Sequence, residues 1–400
     1  MNTLRAEQIQ TDNRRLSMIL ILGVLSGLGP LTIDMYLPAL PTMTEDLHTT
    51  ASLTQLTITA TLLGIALGQV FVGPFSDRYG RRMPLIISMA VYVIVSLSCM
   101  FVGNIELLVA LRLVQGISGA AGIVLSRAVV RDLYSGTELT KFFALLMLVN
   151  GAAPILAPVI GGMLLEFTTW RGVFFTLFLI STLLLIAVFY KLPETLTPER
   201  RARGGLKEIF VTYANLIKDR SFMGFAASQA LVMTAMFAYI AGSPFVFQNI
   251  FKVSPFGFSM IFAMNGIGII VSSQIAGRLA GRVPEKKQLF SSLVLAAVAS
   301  LVLFIMILMG AGLLAVCIPL FFAVSCVGIV NTTSFSLAME KHGKTAGLAA
   351  ALLGVLPFIG GAIAAPLVGI AGDYTAVPMG VIMVFCNGAA LLTYLLFLRK

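Results

Sequence analysis

Two ionisable residues stand inside otherwise apolar stretches of this chain. Asp34 lies in Gly29-Pro30-Leu31-Thr32-Ile33-Asp34-Met35-Tyr36-Leu37-Pro38, and Arg112 opens Arg112-Leu113-Val114-Gln115-Gly116-Ile117-Ser118-Gly119. An acid or a base within a bilayer-length apolar segment is costly to bury and usually marks an ion path. Asp34 falls ~27 Å from the inner end of its segment and Arg112 about 10 Å from the outer end of its own, at 1.5 Å per helical residue. The two are therefore at comparable depth. Desolvation favours the protonated acid and a neighbouring guanidinium favours the ionised one. A carboxyl balanced between them can exchange a proton, with Arg112 tuning the exchange. The alternatives are a fixed ion pair, or an acid that reaches the outer interface. Arg112, Gln115, Gly116 and Gly119 share one helical face, which combines close packing with polar groups aimed at an interior cavity.

A second cluster is the basic run Gly73-Pro74-Phe75-Ser76-Asp77-Arg78-Tyr79-Gly80-Arg81-Arg82, set between apolar stretches 53–72 and 85–102. Gly73, Pro74 and Gly80 read as helix breakers around a short charged turn. Such a turn belongs on the cytoplasmic side. Asp77 is the unusual residue in it. Its carboxylate is expected to face a helix N-terminus and to pair with arginines such as Arg127 or Arg131, a contact that forms in one helix arrangement and breaks in another.

These residues are embedded in a chain that is 58% hydrophobic and 11% charged, with a mean hydropathy of +0.98. That composition indicates an all-α polytopic membrane protein. Twelve spans are expected, at about 16–37, 52–73, 84–102, 105–129, 141–165, 171–190, 222–247, 256–279, 287–309, 312–338, 346–370 and 377–398. The first reads as a retained helix, not a cleaved leader. With the N-terminus inside, 24 lysines and arginines fall on inner segments and two, Arg171 and Lys252, on outer ones. Both termini are then cytoplasmic. Residues 1–190 form one six-span bundle and 221–400 a second. Residues 191–220 form a linker whose Leu206, Ile209, Phe210, Tyr213, Leu216 and Ile217 fit an amphipathic helix. Gly64, Gly73 and Arg78 recur 204 positions later as Gly268, Gly277 and Arg282, as related halves would require. The acid Asp77 does not recur; Gly281 stands there.

The formal charge of +10 serves topology, and no nucleic-acid partner is expected. Four cysteines in apolar spans and two loop histidines point to no metal, and no phosphate-binding Gly-x-x-x-x-Gly-Lys loop is present. One buried acid and one buried base are too few for an intramembrane enzyme. A channel would need rings of charge or carbonyls, which nothing here provides. The partners are a lipid bilayer, a small-molecule substrate and protons, handled by a monomer. Gly151, Pro154, Pro158, Gly161 and Gly162 place small residues and two prolines in span 5, which suits either a hinge or a packing helix. Tyr36, Gln115, Asn150, Gln229, Met233, Phe237, Tyr239, Asn265 and Asn331 are candidates for a cavity wall, with interhelical bonding as the competing role of the polar ones.

Gly73-x-x-x-Asp77-Arg78-x-Gly80-Arg81-Arg82 between spans 2 and 3 resembles the signature turn of the major facilitator superfamily. Arg112-x-x-Gln115-Gly116 is similar to a second motif of that superfamily, linked there to proton transfer. The run 150–162 resembles its antiporter motif, with Ala157 where glycine is usual. Asp34-Met-Tyr-Leu-Pro-Ala-Leu-Pro41 and Ser126-Arg127-Ala-Val-Val-Arg131-Asp132 look like hallmarks of the Bcr/CflA (bicyclomycin-resistance) group of drug–proton antiporters. The resemblance implies two six-helix bundles alternating access to a central cavity in a bacterial inner membrane. It implies export of amphipathic or antibiotic-like compounds, driven by a proton gradient without a cofactor. Export of a specific metabolite such as an amino acid on the same scaffold is the alternative. In this frame Asp34 and Arg112 couple protons, and Gly73, Asp77, Arg78, Gly80, Arg81, Arg82, Arg127 and Arg131 form a cytoplasmic gate.

Overall fold

The computed structural model describes residues 2–201, 206–340, 342 and 345–398. Of the basic residues counted above, Arg203, Lys341, Lys344, Arg399 and Lys400 lie outside the described residues, as do the side chains of Arg5, Arg14, Arg15, Lys141, Arg200 and Lys207. Among the described residues every regular element is helical. The long helices are α1 (Asn2–Asp34), α2 (Ala51–Tyr79), α3 (Arg82–Met100), α4 (Ile105–Leu133), α5 (Gly136–Leu164) and α6 (Trp170–Lys191), then α7 (Arg220–Phe245), α8 (Pro255–Leu279), α9 (Glu285–Leu308), α10 (Leu313–Met339), α11 (Ala346–Val368) and α12 (Val377–Phe397). Eleven segments have the length and apolarity to cross a membrane, and α5 contributes the apolar stretch Leu148–Leu164. Short helices cover Leu40–Asp46 and Leu206–Lys218. In the latter Leu216 is buried and Ile217 exposed; the side chains of Leu206, Ile209 and Phe210 lie outside the described residues.

Lipid offers no hydrogen bonds, so each helix must satisfy its own backbone. Free N–H groups at the starts are met by local side chains. Thr50 accepts from Leu53, Asn104 from Leu107, Ser254 from Gly257, and Asp219 from Ser221 and Phe222. One expectation fails here. Gly73 and Pro74 do not end α2, which runs on to Tyr79. Pro74 removes one ladder donor. That leaves the Val70 carbonyl short of its donor, while the Ser76 hydroxyl donates to the Gly73 carbonyl at 2.7 Å in the next turn. The break falls at Gly80, whose φ of +97° lies in the left-handed region glycine favours.

Glycines let α2 and α4 cross closely. A Cβ on Gly64 would overlap the Leu113 carbonyl and the Gly116 Cα, and one on Gly116 would overlap the Thr61 carbonyl. The second half repeats this crossing between α8 and α10. There Gly268 faces Ser325 and Phe321, and Gly328 faces the Ile269 carbonyl. The 204-residue repeat of Gly64 at Gly268 thus marks equivalent contacts in two related bundles.

We call the end that carries Arg78–Arg82 the basic end and the other the far end. At the far end one buried cluster takes residues from both halves, including Met35, Tyr36, Ile58 and Leu62 with Tyr239, Phe247 and Phe262. At the basic end the halves have separate cores. One contains Leu22, Leu85, Val129 and Val188, the other Phe222, Leu289, Val330 and Tyr394. Hydrogen bonds follow the same division. Gln55 donates to the Ala241 carbonyl, Ser52 to Pro366, Thr59 to Ala362, Gln248 to Pro38 and Ser259 to Pro158, all toward the far end. The halves are joined at the far end and packed separately at the basic end.

Gly116→Val is expected to force α2 and α4 apart at a cost of about 1–3 kcal/mol. The melting temperature of the purified protein should fall. Gly103→Val, where a Cβ meets nothing within 4 Å, should leave it unchanged.

Candidate functional site

Arg112 is completely buried. Its Nη1 donates to Gln115 Oε1 at 2.6 Å and its Nη2 to the Thr32 carbonyl at 2.7 Å. Gln115 Nε2 in turn donates to Ser96 Oγ at 2.8 Å. The Thr32 hydroxyl lies 2.6 Å from that of Tyr92. The guanidinium carbon sits 4.1 Å from the Tyr36 ring centroid and 5.6 Å from that of Phe174. A desolvated cation over an aromatic face gains about 2 kcal/mol. Thr32 belongs to the last turn of α1, where carbonyls lack helical partners and the helix dipole is negative. Arg112 therefore caps α1 and places its charge where that helix end favours it.

Asp34 ends the same helix. It is 5% exposed, and its buried Oδ1 accepts no hydrogen bond. The fixed Asp34–Arg112 ion pair is not formed among the described residues, since the guanidinium is directed to Thr32 and Gln115. Asp34 also does not reach the interface; it is enclosed where the halves meet. Its neighbours Ile33, Met35 and Tyr36 share one core with Tyr239 of α7 and Phe262 of α8, in the opposite half. Tyr239 accepts a hydrogen bond from Asn265 Nδ2 at 2.9 Å and stacks on Phe262 at 5.4 Å. The carboxyl thus has a buried position and no donor on Oδ1, beside a core shared with the opposite half.

At the basic end Asp77 pairs with Arg81 at 2.5 Å, not with Arg127 or Arg131. Arg81 is the centre of this cluster. It also donates to Ser76 Oγ at 2.7 Å and to Asp132 Oδ2 at 2.9 Å. Burial alone would push its guanidinium down, but the hydrogen bonds to Asp132 and Asp77 outweigh that and hold it above its ordinary value. Arg82 donates to the Phe189 carbonyl at the end of α6, and Arg78 lies 5.5 Å from the Tyr79 ring. Glu194 closes the cluster. Its carboxylate accepts from the backbone N–H groups of Arg81 and Arg82 at the start of α3, and from Thr195 and Leu196. Burial would raise this carboxyl, but the four N–H groups hold it below the usual carboxylate value. A side chain on Gly80 would collide with it. Gly281, in the second half, also has positive φ but has nothing within 4 Å of a Cβ, so that turn lacks an equivalent tie.

Sequence reasoning missed Asp132 and Glu194. The available signal was that each is an acid in a segment predicted to share the side of the basic turn. Two cavity candidates are placed otherwise than expected. Gln115 is fully buried inside the first bundle with both ends bonded. Asn150 Nδ2 bonds Ser26 Oγ at 3.0 Å and the Leu146 carbonyl at 2.8 Å, joining α1 to α5. Gly161 and Gly162 lie against the Met35 carbonyl and Ser259, Gly151 faces Ile270, and both prolines remain within continuous α5. Tyr36 bonds Thr57 at 3.0 Å. Phe237 packs 5.7 Å from Phe358, while Gln229, Met233 and Asn331 gather nearer the basic end.

Paired helical bundles of bilayer length, joined at one end around a buried acid, define a multi-pass membrane protein of transporter architecture. The chain belongs to the Major Facilitator Superfamily, whose pattern it matches over residues 22–365. It is 46% identical to the Bacillus subtilis (strain 168) protein named uncharacterized MFS-type transporter YdgK, over 93% of each chain. It is 31% identical to a bicyclomycin resistance protein homolog of Haemophilus influenzae, over 94% of each. Its fold superposes on a bacterial homolog of the human lysosomal transporter Spinster, in an inward-facing and unoccupied conformation. That match has a TM-score of 0.75 at 13% identity, covering 96% of this chain and 98% of that one.

Two outcomes follow. Arg112→Ala leaves the Thr32 carbonyl and Gln115 without their donor, at about 1–3 kcal/mol per group, so the protein should melt markedly earlier. Glu194, held low, stabilises the fold above its ordinary value of 4.5, and that contribution is lost as the pH falls below it. Glu194→Gln should therefore lower the melting temperature at pH 7, and the gap to wild type should narrow on acidification below 4.5.

Proposed function

We propose that this protein exports small amphipathic, antibiotic-like molecules in exchange for protons, by alternating access between its two halves. The observation that carries this reading is the position of Asp34. It is an acid lacking a donor on one oxygen, buried at the seam that joins the halves at the far end and leaves them separately packed at the basic end. A carboxyl that gains and loses a proton at such a seam changes the cost of keeping it closed. The conformation described here has the far end shut. The excess of lysines and arginines on the segments at the basic end supports placing that end, and both termini, in the cytoplasm of a bacterial cell with the chain in its inner membrane. The far end is then the outside, and the present form receives substrate from within. Arg112 holds the end of α1, and with it Asp34, in position. The Arg81 cluster braces the first half at the cytoplasmic side. The name of the Haemophilus relative supports a drug as cargo. The chain works as a monomer, with the proton gradient in place of a cofactor.

The test is drug-induced proton movement in inverted vesicles energised with a pH gradient. Bicyclomycin and chemically unrelated antibiotics should collapse the gradient with the wild-type protein. Asp34→Asn should abolish the response while leaving expression intact. Full coupling in that variant would remove Asp34 from the proton path. A silent wild type would favour the metabolite exporter.

A further inference from the structure

The turn between α8 and α9 is the second-half counterpart of the basic run 73–82, and its charges are left unmatched. Residues 278–287 hold four bases, Arg278, Arg282, Lys286 and Lys287, against one acid, Glu285. All four bases are exposed, and among the described residues none pairs with a carboxylate or lies over a ring. In the first half Asp77, Asp132 and Glu194 meet that need.

The backbone of the turn is nonetheless held. Arg282 and Val283 donate their N–H groups to the Leu279 carbonyl at 3.0 and 2.9 Å. Gln288 Nε2 closes on the Val283 carbonyl, and the Tyr394 hydroxyl of α12 donates to the Lys286 carbonyl, each at 2.9 Å. Topology explains the sign of these charges. It does not require that they be fixed in one place without a counter-charge. Lys286 and Lys287 also stand in the first turn of α9, where the helix dipole disfavours cations. Glu285 in that turn offsets one of them.

The surroundings identify the missing anion. Arg278 lies on the face of α8 that exposes Ile267, Val271 and Ile275. Lys287 lies on the face of α9 that exposes Leu295, Val298 and Val302. In a membrane-spanning chain these apolar stripes meet lipid tails, so the bases at their feet stand at the level of the headgroups. We propose that the α8–α9 turn is a binding surface for the phosphate of anionic membrane lipids. A soluble anion would use the charges alone. A lipid uses the charges with its phosphate and the stripes with its tails. The first half thus carries its counter-charges in its own sequence, and the second takes them from the bilayer. Binding of this kind requires only that the chain spans a membrane, whatever it carries.

The test is titration of the purified full-length protein, in a neutral detergent, with dioleoylphosphatidylglycerol. Native mass spectrometry reads the tightest lipid adduct, and the melting temperature is followed alongside. The comparison probes are dioleoylphosphatidylcholine, with the same tails and no net charge, and inorganic phosphate, with the charge and no tails. Phosphatidylglycerol should bind and raise the melting temperature, and neither comparison should match it. Arg278→Gln and Lys287→Gln should each weaken its binding about fivefold, the share of one basic residue at an anionic surface. Both variants should melt as wild type before lipid is added, which reports intact folding, and Arg278→Lys should bind as wild type. Lys252→Gln, on an exposed residue outside this turn, should change nothing. The proposal is overturned if phosphatidylglycerol does not bind the wild type, if the glutamine variants bind it normally, or if phosphatidylcholine binds as tightly. It is also overturned if inorganic phosphate raises the melting temperature as much, which would make the turn a site for a soluble anion.

Discussion

The first half is organised by the need to keep one guanidinium out of water without an anion beside it. Arg112 has no carboxylate partner, so its charge is met by a helix-terminal carbonyl, a glutamine and two ring faces. Each of these is then constrained. Thr32 must present its carbonyl, which fixes where α1 ends. Tyr36 must lie across the guanidinium, which turns the chain after Asp34. Gln115 must pass its second hydrogen bond to Ser96, which brings α3 into register with α4. The glycine crossing of α2 and α4 complements this, since only side chains as small as Gly64 and Gly116 let α4 approach closely enough.

The same arrangement leaves Asp34 poorly served. It shares the helix end that attracts Arg112, and a carboxylate at a helix C-terminus meets the wrong end of the dipole. The Arg112 guanidinium is already directed to Thr32 and Gln115, and Asp34 Oδ1 is left without a donor. The basic end shows the opposite economy. There Arg81, Asp77 and Asp132 of the first half, with Glu194 at the start of the linker, satisfy one another, so the bundle keeps its shape whether or not the second half approaches.

Much of this was legible from residue types and spacing. Hydropathy and charge located the spans, and the depths of Asp34 and Arg112 followed from counting residues along their helices. The glycine repeat anticipated equivalent crossings. What could not be read was partner choice. Apolar surroundings state that Arg112 must be compensated, but Thr32, Tyr36 and Phe174 are equally plausible or implausible until the helices are assembled. Glu194 is distant in sequence from the turn it caps, and nothing local in Leu192-Pro193-Glu194-Thr195 points to α3. Gly73-Pro74 misled because a long helix tolerates one lost ladder bond when the turns on either side stay bonded. Gln115 and Asn150 misled for a related reason. A polar residue in a span announces that it needs a partner, not whether the partner is a helix or a ligand.

The seam at the far end has a chemical asymmetry with a consequence for descent. Its hydrogen bonds run from side chains, Gln55, Ser52, Thr59, Gln248 and Ser259, to backbone carbonyls at Ala241, Pro366, Ala362, Pro38 and Pro158. Any residue carries a carbonyl, so the accepting side is blind to side-chain identity and can drift freely. The donating side cannot. A carbonyl oxygen has two lone pairs, so the Ala241 and Pro158 carbonyls, within helices, can keep a ladder bond to Phe245 and Gly162 when the side chain withdraws. The Ala362 carbonyl cannot, because Pro366 stands four residues on and has no N–H. Parting the seam therefore strands that group, and homologous chains should vary at the accepting residues while holding to hydroxyls and amides at the donating ones.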